Sequence, residues 1–311
     1  MPVGFRCPYI IPHPQYEVTG NRQIPYEYHG LPFSKMPPKQ HKRVILLGNS
    51  VLKNTEVVDY MLALRHALPK RVGKVEIANF SMAGTTIADY IFFYNYVKKF
   101  EPDLLIVHLD AITFGTGELL YRKNAQKIIF HADMKALWNP LILSTFDRND
   151  LVESFVYSHC PLYRWLFIIK YTVQKKINAF CDRFFGIPVM DLIPSPLEPV
   201  AQWDLIDLAQ WDEIRDQEFP QARALLSFFI DQLEHDRQKT VFIRQETESI
   251  DLPIFDVMDD FVKDKKYVNY HDFHYYYDKH YFEDPIHPDA KIGSLKVAMR
   301  LLQVIGEYLK P

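Results

Sequence analysis

Three short strand-like segments, separated by stretches with helical spacing, constrain this chain more than any other feature. The first is Arg43-Val-Ile-Leu-Leu-Gly48. An unbroken apolar run bounded by charge and by Gly marks a strand buried on both faces, as the strands of a parallel sheet are. Residues 55 to 68 come next, with Val57, Val58, Met61, Leu62, Leu64 and Leu68 at helical intervals and Pro69 as the stop. Lys74 to Phe80 then reads as a second strand, Thr86 to Phe100 as a second amphipathic helix, and Asp103 to Leu109 as a third strand. Alternation of this kind calls for right-handed crossovers and therefore a parallel sheet.

The alternation stops at about 117 and resumes near 240, an interval far beyond the usual loop of about 4–6 residues. Between 117 and 239 the pattern is mostly helical, including Ser158 to Phe185 and Gln221 to Arg237, and is read as an inserted helical cap. Thr240 to Arg244 and Tyr267 to Asp272 return to the sheet. Residues 289 to 309 close the chain as an amphipathic helix through Ile292, Leu295, Val297, Ala298, Leu301, Leu302 and Ile305. The expectation is a three-layer α/β/α flavodoxin-like sandwich over 42–311, with a mostly parallel sheet of about five strands and a large helical insertion. Residues 1–41, rich in Pro, Tyr and His without periodicity, are expected to form an extended arm.

Composition narrows the function classes. The formal net charge is −3 and no basic block stands out, so no nucleic-acid partner is expected. No run of about 18 apolar residues occurs, so no membrane span is expected; the most apolar helix candidate, Leu162 to Val173, is broken by Arg164 and Lys170. The opening residues lack a signal peptide's continuous apolar stretch, a cytoplasmic reading by sequence, with export or membrane association as the alternative if an anchor has been removed. Cys7, Cys160 and Cys181 are far apart and form no Cys-x-x-Cys pair, which excludes a zinc ribbon and a thioredoxin motif. Neither Gly-x-Gly-x-x-Gly nor a P-loop is present, so no organic cofactor is expected.

Ligands of open parallel sheets bind beyond the carboxyl ends of the strands. Gly48-Asn49-Ser50 lies after the first strand, where Gly permits a tight turn with positive φ and Ser50 opens the next helix. Asn79-Phe80-Ser81-Met82-Ala83-Gly84-Thr85-Thr86 lies after the second, with a Gly that could present its N–H, and His108-Leu109-Asp110-Ala111-Ile112-Thr113 ends the third. Glu283-Asp284-Pro285-Ile286-His287-Pro288 precedes the last helix. An Asp and a His three apart on one proline-stiffened loop suit a general base whose tautomer a carboxylate fixes, and a serine hydroxyl needs such a base to become a nucleophile.

Blander readings stand beside these. Ser50 suits a helix N-cap, Asp284 with Pro288 suits a helix start, and Gly84 suits an ordinary turn. His108 and Asp110 suit structural roles at a strand end. His271 and His274, with His280, invite a metal reading, but positions 271 and 274 on a strand point to opposite faces, and no metal is expected. The aromatic run Tyr275-Tyr276-Tyr277 with Tyr281-Phe282 fits packing under the cap or the wall of a sugar or acyl site.

Gly48-Asn49-Ser50 after strand one, Gly84 after strand two and Asp284-x-x-His287 before the last helix resemble the SGNH (GDSL-type) hydrolase superfamily, in order, over roughly 42–114 and 240–309. The run Tyr281 to His287 is similar to the ending of the branch that holds alginate O-acetyltransferase relatives and the D-alanyl transfer protein of teichoic acid synthesis. The resemblance implies Ser50 as nucleophile, His287 as base, Asp284 as its orienting acid, and the N–H groups of Ser50 and Gly84 as an oxyanion hole. Asn49 stands where the family commonly has Asp. The family's third-block Asn is missing from His108 to Thr113; Asn49, His108, Asp110 and Thr113 are the expected site lining, with Thr113 as a replacement donor. The implied reaction is hydrolysis of a carboxylic O-acyl ester. Transfer of the acyl group to a glycan acceptor, or non-catalytic binding of a glycan or protein partner in the same cleft, are the alternatives.

Overall fold

The structure is a computed structural model, and it describes residues 17–18, 21–22, 39–53, 55–81, 85–114, 140, 152, 156, 160, 162, 208–244, 255, 257–273, 279–281, 288–289 and 292–309. Five strands form one sheet: β1 (Lys42–Leu47), β2 (Val75–Asn79), β3 (Leu104–Leu109), β4 (Thr240–Arg244) and β5 (Val268–Asp272). All neighbouring strands run parallel, in the order β2-β1-β3-β4-β5. The expected mostly parallel sheet is therefore parallel throughout, in the strand order of flavodoxin-like doubly wound folds. Near the start of the chain, Glu17–Val18 pairs antiparallel with Asn21–Arg22.

The three central strands, β1, β3 and β4, are mostly apolar because both of their faces are covered. Alternation along each strand sends Val44, Leu46, Leu104, Ile106, Val241 and Ile243 to one side, where they pack with α1 (Thr55–Leu64) and α5 (Ile292–Tyr308). Ile45, Leu47, Leu105, Val107, Leu109 and Phe242 face the other side, where α2 (Ile87–Val97), α3 (Leu208–His235) and the short α4 (Met258–Val262) lie. The result is an α/β/α sandwich.

Two expectations need correction. The helix of 86–100 is not amphipathic: all eleven residues of α2 are buried. The partners of Asp89 and Asn95 make this tolerable. Thr86 and Asp89 form a reciprocal capping box, and the Asn95 amide exchanges hydrogen bonds with Gln232 of α3 at 2.9 and 3.3 Å. The segment 221–237 is likewise not part of a cap. After Pro220, α3 lays Ala222, Leu225, Leu226, Phe229, Ile230 and Leu233 into the core against the sheet, a stripe with helical period. It ends in a Schellman arrangement. Arg237 takes positive φ, its N–H donates to Glu234 O, and the Gln238 N–H donates to Leu233 O. Residues 208–220 of the expected insertion form the first part of the same helix, and the remainder lies outside the described residues apart from a few single positions. Among the described residues no helix is long and apolar enough to cross a membrane.

Burial holds the Tyr90 phenol well above its ordinary value of 10.0, and the Asp110 charge adds to the shift. Burial, then the hydrogen bond to Asp236, raises Tyr94 in the same direction. Both phenols keep their protons in the fold after the unfolded chain has begun to lose its own at about pH 10. Their stabilisation is thus whole below that pH and lost as the pH rises above it. Urea midpoints are expected to fall on the alkaline side, and a chain carrying Tyr90→Phe and Tyr94→Phe is expected to lose less over the same interval.

Candidate functional site

Because every strand is parallel, the three segments named after strands leave the sheet at one edge, and the order reverses between β1 and β3, the switch point where such folds bind ligands. Gly48 and Asn49 sit there, both buried, and the chain turns at once into a helical turn, Ser50–Lys53. Gly48 does not carry the expected positive φ. It is needed for close approach instead: a Cβ there would lie 2.9 Å from Leu52 Cβ and Cδ1 and from Ser81 Oγ. The Val51 N–H donates to Asn49 Oδ1 at 3.1 Å, an Asx turn that fixes the amide plane beside Ser50.

The same device recurs after β2. The Ser81 N–H donates to Asn79 Oδ1 at 3.1 Å, while Asn79 Nδ2 donates to Leu52 O at 2.6 Å and anchors the Ser50–Lys53 turn. Thr85, next to Gly84, donates its hydroxyl to Gly48 O at 3.1 Å. The residues on either side of the Gly84 loop are thereby tied to the end of β1. Gly84 itself lies outside the described residues.

On β3, His108 is fully buried and shares the α1/α5 face with Leu104 and Ile106. Its carbonyl accepts the Tyr90 hydroxyl at 2.7 Å. Asp110 and Thr113 close a turn on each other. Asp110 Oδ1 accepts the Thr113 N–H at 2.9 Å and the Thr113 hydroxyl at 3.0 Å. The Thr113 hydroxyl is thereby engaged within its own turn rather than free for the donor role expected of it. Sequence reasoning placed Asn79 and Ser81 in a strand-end segment without giving them a role, and missed Arg244 at the end of β4. The Arg244 guanidinium lies 4.2 Å from the Phe255 ring centroid and 3.4 Å from Asp272 on β5. His271 is engaged with Tyr308, its Nε2 lying 2.9 Å from the Tyr308 hydroxyl oxygen.

Asp284 and His287 lie outside the described residues, as do His274 and Tyr275 to Tyr277, but Tyr281 and Asp289, which flank that segment in sequence, are joined to each other. The Asp289 N–H donates to Tyr281 O at 2.8 Å, and the Asp289 carboxylate accepts the Ile292 and Gly293 N–H groups, both at 2.9 Å, capping α5. The far end of α5 is pinned at the amino edge of the sheet, where the Leu309 and Tyr308 carbonyls accept from Lys42 and Lys239. A helix of 17 residues spans about 25 Å, longer than a six-residue strand at about 20 Å, so the first turn of α5 reaches the carboxyl edge. Gly293 lets the chain close there, since a Cβ would run into Tyr281 O. Gly293→Ala is expected to cost about 1–3 kcal/mol in urea unfolding, because a backbone carbonyl has to move.

No protein-family model matches this chain, and no curated protein matches it either.

Proposed function

We propose that this chain is a serine-dependent acyl-ester hydrolase of SGNH type. The observation that carries the reading is the position of Ser50, which opens a helical turn at the β1/β3 switch point. The carboxyl edge there is the same one at which α5 begins, directly after Asp284-Pro-Ile-His287. In the reaction, Ser50 Oγ bonds to the ester carbonyl carbon and gives its proton to His287, while the carbonyl π pair moves onto oxygen. The N–H groups of Ser50 and Gly84 stabilise that oxyanion. Its collapse breaks the bond to the leaving alcohol, which takes the proton from His287. Water then repeats the sequence to free the acid. Asp284 keeps His287 in the tautomer that accepts from Ser50.

The test is labelling with a fluorophosphonate and mapping of the adduct by mass spectrometry. An adduct on Ser50 that disappears in Ser50→Ala supports the reading. No adduct, under conditions where a control serine esterase labels fully, overturns it in favour of a binding protein on the same sheet.

A further inference from the structure

The Asn49 side chain is fully buried one residue before Ser50, and its Nδ2 has no hydrogen-bond partner among the described residues. The orientation of the amide is set by the structure itself, because Oδ1 accepts the Val51 N–H at 3.1 Å; the opposite flip would set an N–H against an N–H. Nδ2 is thus a fixed donor without an acceptor among those residues. Ser81 Oγ is also buried and unpartnered among them, and it sits 2.9 Å from where a Cβ on Gly48, the residue before Asn49, would be. Buried polar groups are nearly always paired, since leaving one unpaired forfeits its hydration without return. A donor kept idle at the edge where charge would develop has the form of electrostatic preorganisation, its cost met in the fold before the reaction begins.

We infer that the Asn49 side-chain amide is an oxyanion donor of this site, its Nδ2–H group hydrogen-bonding the ester carbonyl oxygen as that oxygen becomes negative. The inference rests on Ser50 being the nucleophile. It gives the oxyanion a side-chain donor from the β1 end, where Thr113 on the β3 end has its hydroxyl engaged with Asp110. The amide transfers no proton; it stabilises the charge formed when Ser50 Oγ bonds to the carbonyl carbon, and releases it when the leaving alkoxide departs.

Asn49→Asp separates this role from a structural one. The carboxylate keeps an oxygen for the Val51 N–H and so keeps the turn, but it replaces the donor by an acceptor. Turnover of an activated aryl ester is expected to fall about 100- to 1000-fold in kcat with little change in KM, and the rate of fluorophosphonate labelling to fall alongside. The carboxylate is expected to lower the thermal midpoint somewhat, since burying it costs more than burying the amide. For that reason Asn49→Ser, which keeps a good capping oxygen but shortens the donor's reach, is read in the same way. A variant that is folded and within about threefold of the unaltered protein in kcat and labelling overturns the inference while leaving Ser50 in place. Absence of any Ser50-dependent adduct in the unaltered protein removes the nucleophile and the donor together.

Discussion

Ser50→Ala is expected to lower ester turnover by on the order of a millionfold, and His287→Ala in the same chain is expected to lower it little further. The reason is that the two residues act in one event. Without the hydroxyl, His287 has no proton to take; without the imidazole, the hydroxyl is a poor nucleophile at neutral pH. Either loss leaves water attacking an ester held against the oxyanion donors, and a second loss removes nothing that is still working. Asp284→Asn is expected to cost less, about ten-thousandfold, because it leaves both reacting groups and disturbs the tautomer. Single-turnover kinetics on the two single variants and the double variant check this. Losses that multiply in the double variant would mean that Ser50 and His287 do not share a step. A Ser50→Ala chain with unchanged turnover would move the chemistry elsewhere.

The strands were legible because burial on both faces leaves nothing but Val, Ile, Leu and Phe at most of their positions, as in Val44 to Leu47 and Leu104 to Val107. Burial of helices was harder to read. Asp89 and Asn95 look like a solvent face until Thr86 and Gln232 are seen to satisfy them; Thr86-x-x-Asp89, a capping-box spacing, was the available signal. The stripe from Ala222 to Leu233 looks the same whether it faces a sheet or a cap, so its layer could not be assigned from period alone. At the site, Gly48-Asn49-Ser50 was recognisable from its place after an apolar run, but for the wrong physical reason, since Gly48 is required by contact and not by φ. Asp110-x-x-Thr113 carries the spacing of a self-closing turn, a signal in the sequence itself against a free Thr113 hydroxyl. The Arg244–Asp272 pair depends on strand register, which a single sequence does not display.

The opposite end of β1 carries the largest expected stability effect. Arg43 is 3 % exposed, and its Nε and Nη2 both donate to Glu76 Oε2 on β2, at 3.0 and 2.8 Å. Its Nη1 donates to Phe100 O at 2.8 Å, and Glu76 Oε1 accepts the Gln40 and His41 N–H groups. Removing one member of such a pair leaves the other charged, buried and short of partners. Glu76→Ala is therefore expected to destabilise the fold by about 3–5 kcal/mol in urea unfolding. Replacing both, as Arg43→Met with Glu76→Leu, removes the stranded charge and is expected to recover most of that loss, since apolar side chains of similar volume pack without a desolvation cost. The pair lies about 20 Å from Ser50, at the far end of a six-residue strand, so kcat and KM of the folded fraction are expected to stay unchanged in both variants. A Glu76→Ala chain within about 1 kcal/mol of the unaltered protein would place the pair in the class of solvent-screened surface bridges, against its burial. A double variant no more stable than the single one would mean instead that the β1 and β2 backbones depend on the hydrogen bonds Glu76 accepts from Gln40 and His41.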